Sequence, residues 1–230
     1  MRLKRENLLL YAVTDRFWTG RQTLAEQIEE ALKGGVTCVQ LREKNLDDDA
    51  FIEEALEVKA LCRRYSVPLI INDRVDVAIK SGADGVHVGI EDCPVAEIRR
   101  RVGDDFIIGA TAKTVEQAKK AETEGADYLG VGAVFPSPTK KNAIRITTEK
   151  LHEICTSVSI PSVAIGGISL DNAEEIAGGG MSGIAVVSAI FGADDIRAAA
   201  AALKAAARRL TAADMKSCSE FRNTADGGSE

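Results

Sequence analysis

A chain of 230 residues with 45% hydrophobic and 28% charged residues has material for one sizeable core, and α/β barrels commonly reach this length as a single domain. Its formal net charge of −6 argues against a general nucleic-acid-binding or anionic-membrane surface, while leaving room for a local basic pocket. Five cysteines without CxxC spacing argue against a zinc site or disulfide framework and point to reduced thiols in a cytoplasm. The apolar run 8–13 is too short for a signal peptide, and no run is long enough to span a membrane.

In chain order, the apolar run 8–13 reads as a strand. The segment 23–33 reads as a helix, with Leu24, Ile28, Ala31 and Leu32 on one stripe. Thr23 with Glu26 has capping-box spacing, and Gly34-Gly35 ends the helix. Further strands are expected at 36–41, 68–71, 85–88, 106–108, 128–131, 162–165 and 183–187. Helices are expected at 47–65, 76–81, 94–102, 114–124, 148–156, 171–177 and 196–210. Eight short apolar strands alternate with eight helices, as in a parallel sheet covered by helices.

A weak repeat supports closure of that sheet. Gly35, Gly82, Gly125 and Gly180 each end a helix shortly before a buried strand, roughly 50 residues apart, which fits two βα units per repeat. No GxGxxG follows the first strand, so a doubly wound open sheet is the weaker reading. The expected fold is a single-domain α/β (β/α)8 TIM barrel over residues 1–212, with a polar, flexible tail at 213–230.

Barrel active sites lie at the carboxyl ends of the strands. The second strand delivers Gln40, Arg42 and Lys44 there, on one face if strand geometry persists, with Val39 and Leu41 on the other. This is an anion grip or an ordinary charged strand end. The third strand leads to Asn72 and Asp73, the fourth to Asp92, and the fifth to Thr111. The loop after the sixth carries Ser137, Thr139 and Lys140, which would suit a diphosphate or a solvated surface. Gly166-Gly167 after the seventh strand and Val187-Ser188 after the eighth suggest a second phosphate site or two tight turns. Asp73 and Asp92 follow neighbouring strands, and two carboxylates without His or Cys favour Mg2+. Singly, each also suits a helix cap or a turn. His87, mid-strand, reads as a hydrogen-bonded core residue and not as a general base. Phe17 and Trp18 read as a flap or a packed loop.

Six motifs occur in order: Val39-Gln40-Leu41-Arg42-Glu43-Lys44, Ile71-Asn72-Asp73-Arg74-Val75-Asp76, Gly82-Ala83-Asp84-Gly85-Val86-His87-Val88-Gly89 with Glu91-Asp92, Gly130-Val131-Gly132 with Phe135-Pro136-Ser137-Pro138-Thr139-Lys140, Ile165-Gly166-Gly167-Ile168 and Val186-Val187-Ser188-Ala189-Ile190. Through them the chain resembles the thiamine-phosphate synthase (thiamine-phosphate pyrophosphorylase) family from about Leu10 to about Ile190. That resemblance implies a cytoplasmic transferase of thiamine biosynthesis. It condenses 4-amino-2-methyl-5-hydroxymethylpyrimidine diphosphate with 4-methyl-5-(2-hydroxyethyl)thiazole phosphate to give thiamine phosphate and diphosphate. It implies Mg2+ on Asp73 and Asp92. The pyrimidine diphosphate falls to Gln40, Arg42, Lys44, Asn72, Thr111 and Lys140, and the thiazole phosphate to Ser137, Thr139, Gly167, Val187 and Ser188. Arg42, Lys44, Thr111 and Lys140 take the catalytic roles.

Thr111 stands where the family usually has Ser, Ile90 where Gln is common, and Ser137 where Thr is frequent. The partners implied are small molecules, with neither nucleic acid nor membrane, and a homo-oligomer is compatible with the sequence. A thiazole tautomerase-like isomerase of the same barrel family, and a non-catalytic phosphate-ligand-binding barrel, are the alternatives.

Overall fold

The computed structural model describes residues 3–20, 22–137 and 144–225, with side chains described to residue 212. Strands β1 (Leu10–Val13), β2 (Cys38–Leu41), β3 (Leu69–Asn72), β4 (Gly85–Val88), β5 (Ile107–Ala112), β6 (Tyr128–Gly132), β7 (Ser162–Ile165) and β8 (Gly183–Val186) pair in parallel in chain order. β8 pairs back onto β1, so the sheet closes as expected. Helices α1 (Leu24–Lys33), α2 (Asp48–Arg64), α3 (Val75–Lys80), α4 (Val95–Val102), α5 (Val115–Thr123) and α6 (Thr148–Thr156) follow the first six strands. A one-turn helix α7 (Ser188–Phe191) and the long α8 (Ile196–Ala225) follow the eighth.

Strand alternation divides the side chains between two cores. Leu10, Val39, Leu41, Ile71 and Val86 point outward and pack with the helices. Tyr11, Cys38, Ile70, Ile107, Tyr128 and Val163 point inward and fill the lower barrel. Above them Gln40, Asn72, Thr111 and Gly132 stand at inward positions in place of bulky apolar side chains, and a cleft opens at the carboxyl ends.

The repeat read from the glycines has a physical basis at the amino ends. The residue just before each even strand hooks onto the preceding odd strand. Asp84 donates its N–H to the Leu69 carbonyl (2.9 Å), and its carboxylate accepts from Leu69 N–H (2.8 Å). Asp127 repeats this at Ile108, with both bonds at 2.7 Å. Thr37 does the same at Leu10 through its hydroxyl, and Ser182 donates its N–H to the Ser162 carbonyl. These bonds occupy backbone groups at the strand starts that would otherwise lack partners. At the helix starts, the Thr23–Glu26 capping box forms as expected.

Three elements differ from expectation. β5 runs four residues further, to Ala112, and so carries Thr111 within the strand. The seventh helix is only a 3-10 turn, Ala173–Ile176. Asn172 bonds back to Ser169 N–H and the Gly167 carbonyl, and glycines 178–180 stop any extension. The backbone of α8 stays helical to Ala225, past Leu210. Its first half closes the helix ring against α1, where a Cβ on Gly34 would lie 2.5 Å from the Arg197 carbonyl oxygen. No helix among the described residues is long and apolar enough to cross a membrane.

Candidate active site at the carboxyl ends of the strands

β1 and β2 place the first two groups together. Thr14 N–H donates to the Gln40 carbonyl, and Arg42 N–H donates to Thr14 Oγ1, each at 2.9 Å. The Arg42 guanidinium then donates to Asp15 Oδ2 (3.2 Å). The exit of β1 therefore aims Arg42 into the cleft, which Gln40 and Arg42 both line. Strand geometry ends at Leu41, so the alternation does not reach Lys44. Lys44 is exposed in a bend and off the cleft wall. Its neighbour Glu43 is buried and accepts from Arg16 Nε (2.8 Å), while Arg16 also pairs with Glu54 on α2. Burial and the nearby Glu43 charge push the Glu54 carboxyl up. This cluster pins the first two loops together behind the cleft.

The floor is a chain of polar groups. Gln40 Nε2 donates to Tyr11 Oη (2.9 Å), and Tyr11 Oη meets Tyr128 Oη (2.7 Å). Tyr128 Oη meets His87 Nδ1 (3.0 Å), and His87 Nε2 meets Thr111 Oγ1 (3.1 Å). Burial pushes His87 down to about 4, so its imidazole is neutral at physiological pH. Both tyrosine hydroxyls are pushed up by burial. Glycine makes space for the rings: a Cβ at Gly109 would fall inside the Tyr128 ring, and one at Gly130 would lie 3.0 Å from His87 Cε1.

Asp73 and Asp92 meet at the ends of β3 and β4. Asp73 adopts φ 61°, a left-handed conformation that Asp tolerates better than most residues, and its N–H donates to the His87 carbonyl (2.8 Å). Asp92 Oδ2 accepts from Gly89 N–H (2.7 Å). Burial raises the Asp73 carboxyl to about 6, helped by the charge of Asp92 and a hydrogen bond with it. A hydrogen bond from Asn72 and the charge of Arg42 oppose the rise. Two repelling carboxylates beside a basic cleft fit one hard cation that completes its shell with water and ligand oxygens. No group of three or more His, Cys, Asp or Glu side chains suited to a metal occurs among the described residues.

On the opposite wall the polar groups are mainly backbone. Gly166 (φ 104°) and Gly167 (φ 65°) turn the chain after β7. A Cβ on Gly167 would overlap the Pro136 carbonyl oxygen, so this turn sits directly against the loop after β6. That loop is stitched at its base: Val134 N–H donates to the Ile165 carbonyl and Phe135 N–H to the Gly166 carbonyl. Ile146 N–H donates to the Ala133 carbonyl and closes the loop's other end. Thr139 and Lys140 lie outside the described residues.

The cleft, about 190 Å³, brings together Gln40, Arg42, Asn72, Thr111, Ser137, Gly167, Val187 and Ser188. Of the remaining expected site residues, Lys44, Asp73 and Asp92 do not form its wall. Among the polar wall residues, Tyr11, His87 and Lys113 are not in the expected site set. Lys113 follows Thr111 by two, so alternation would have found it had β5 been read through Ala112.

A closed parallel barrel with a partly cationic cleft at its carboxyl ends defines a class: (β/α)8 proteins that handle small phosphorylated molecules. The sequence pattern of thiamine monophosphate synthase matches residues 10–190, and the chain belongs to that family. It is 46% identical over 199 residues to the thiamine-phosphate synthase of Clostridium tetani, covering 86% of this chain and 95% of that protein. It is 50% identical over 193 residues to that of Caldanaerobacter subterraneus, covering 84% and 90%. Among solved structures, thiamine phosphate pyrophosphorylase from Pyrococcus furiosus superposes with a TM-score of 0.82 at 42% identity, covering 90% of this chain and 98% of that one. 3-Hexulose-6-phosphate synthase, at 17% identity and TM-score 0.61, shares the fold alone.

Proposed function

We propose that this protein is a cytoplasmic transferase that joins 4-amino-2-methyl-5-hydroxymethylpyrimidine diphosphate to 4-methyl-5-(2-hydroxyethyl)thiazole phosphate. The observation that carries this reading is Arg42 and Asn72 on one wall of the cleft with the Asp73–Asp92 pair in interaction with both, in a chain of the thiamine monophosphate synthase family. The pyrimidine diphosphate falls on Gln40, Arg42, Asn72 and Thr111. The thiazole phosphate falls on Ser137, Gly167, Val187 and Ser188. Lys44, Thr139 and Lys140 complete the set by the family pattern.

The chemistry needs no protein nucleophile. The bond between the pyrimidine methylene and the diphosphate oxygen breaks, and its electron pair leaves with the diphosphate. The thiazole nitrogen donates its lone pair to that methylene carbon, and the positive charge ends on the thiazolium ring. Arg42, held by Asp15, faces the negative charge that develops on the leaving group, a form of electrostatic stabilisation that removes much of a barrier. Val163, Ile165 and Ile168 line the cleft, and an apolar lining disfavours capture of the electron-poor methylene by water. Asp73 and Asp92 would hold Mg2+, which when bound supplies further positive charge against the diphosphate. The cleft fixes both rings in reach of each other, and that positioning supplies a large share of the rate.

The test is product formation. With both substrates and Mg2+, the protein should release one diphosphate for each thiamine phosphate formed, and neither substrate alone should give diphosphate. Isomerisation of a thiazole phosphate without diphosphate release, or tight ligand binding without turnover, would replace this reading.

A further inference from the structure

We infer that Tyr11, Tyr128 and His87 are positioning residues that lock the donor–acceptor sense in which Gln40 and Thr111 meet the substrate ring, and so select a 4-amino over a 4-oxo pyrimidine. This rests on the pyrimidine assignment above. The observation is the continuous polar chain across the floor, Gln40–Tyr11–Tyr128–His87–Thr111, with links of 2.9, 2.7, 3.0 and 3.1 Å. Each hydroxyl has one hydrogen to give, and a neutral imidazole carries one N–H and one acceptor nitrogen. With Tyr11 donating to Tyr128, the sense that the shifts of the two hydroxyls favour, each later link follows from the one before. Gln40 Nε2 donates to Tyr11, whose hydrogen goes to Tyr128. The Tyr128 hydrogen goes to His87 Nδ1, so the imidazole N–H sits on Nε2 and donates to Thr111 Oγ1. Two groups remain for the cleft: Gln40 Oε1, an acceptor, and the Thr111 hydroxyl hydrogen, a donor.

A 4-aminopyrimidine is complementary to that pair. Its amino N–H suits the Gln40 oxygen, and a ring nitrogen suits the Thr111 hydroxyl. A 4-oxo ring carries a carbonyl acceptor and a ring N–H donor, the opposite pattern. To accept it, the Gln40 amide must turn over, three hydroxyls must rotate and the imidazole must change tautomer, all together. Reversal of one link alone leaves two donors or two acceptors facing each other unless a hydroxyl turns to a partner outside the chain, and the one beside Tyr11, the buried Cys38 thiol, accepts only weakly. Tyr11 and Tyr128 are 1% and 0% exposed, so water cannot repair a broken link between them. The mid-strand glycines at 109 and 130 are the sequence's accommodation of this chain, since side chains there would displace Tyr128 and His87.

The test uses two unreactive bisphosphonate analogues that differ only in a 4-amino or 4-oxo ring. Their dissociation constants are measured by calorimetry on wild type, Tyr128→Phe and Tyr11→Phe, each checked for folding by circular dichroism. Wild type should prefer the amino ring by roughly a hundredfold or more, as expected of a site built around hydrogen bonds. Each Phe variant uncouples Gln40 from Thr111 and should lower that ratio at least about tenfold. A purely structural role would weaken both analogues alike, and a ratio unchanged in a folded variant would overturn the inference. Failure of wild type to bind the amino analogue would overturn the pyrimidine assignment itself, and this inference with it.

Discussion

On the β2–β4 side the charged groups are side chains: Arg42, steered by Asp15, lines the cleft, and Asp73 against Asp92 lies beside its wall next to Asn72. On the β7–β8 side the polar groups are mainly backbone, with Gly166 and Gly167 in left-handed turns pressed against residues 133–136 and Ser188 beyond. A side-chain site fails when a charge is removed, and it responds to pH and to a cation. A backbone site has no charge to remove and fails when a Cβ is added. Diphosphate, the group on which charge grows during the reaction, suits the first kind. The second phosphate only has to be held, and rigid amides suffice.

The largest effect should come from removing charge on the first side. Arg42→Ala should lower kcat about 10²–10³-fold, the usual loss for one such donor. The affinity for thiazole phosphate, measured by calorimetry, should change little. An equal loss on both substrates would show that Arg42 serves the whole cleft. Lys140→Ala should behave in the same way.

Next in size is the aspartate pair. Asn at either position should weaken apparent Mg2+ affinity roughly 10–100-fold and leave the fold intact. The pair also predicts a titration. Asp73 in the metal-free protein should titrate near 6 by carbon-detected NMR, and the midpoint should fall in Asp92→Asn, because the like charge is gone. The folded state here binds a proton more tightly than the unfolded chain does. This group therefore stabilises the fold at low pH and loses that contribution as pH rises from about 4 to about 6. His87 has the opposite sign: its depressed pKa costs stability as pH falls from about 6.5 toward 4. An Asp73 midpoint indifferent to Asp92→Asn would separate the carboxylates and remove the cation from this account.

On the backbone side, Gly167→Ala adds a Cβ at φ 65° against the Pro136 carbonyl. It should raise the KM for thiazole phosphate on the order of tenfold, with little change for the diphosphate substrate. The smallest effect belongs to residues 213–230. Their removal should leave activity unchanged and move Tm by no more than about 2 °C. A larger drop would mean that the end of α8 is part of the barrel's support.

The same contrast explains what the sequence reveals. Residues placed by strand periodicity are legible: Gln40 lines the cleft because side chains alternate, Val39 and Leu41 face the helices for the same reason, and Arg42, one residue past β2, keeps the same face through its bonds to Thr14 and Asp15. The barrel was legible from eight apolar runs and four glycine junctions. Lys44 illustrates where periodicity stops, since β2 ends at Leu41 and the chain bends before the lysine. Lys113 was missed because the Thr-containing end of β5 lacks the apolar signal of a strand. The floor was also hidden. Tyr11, His87 and Tyr128 come from three separate strands, and the hydrogen bonds among these three span 41 and 117 residues of sequence. No local pattern marks such a chain, although the mid-strand glycines beside it are visible.

The central claim is that one cleft holds two phosphates in two different ways. It is tested most directly by a crystal structure of the protein with thiamine phosphate, diphosphate and Mg2+. The diphosphate should lie against Arg42, with the cation between it and Asp73–Asp92, and the thiamine monophosphate group on the amides of Gly167 and Ser188. Diphosphate on the glycine turn, or both phosphorylated groups on the Arg42 side, would contradict the account.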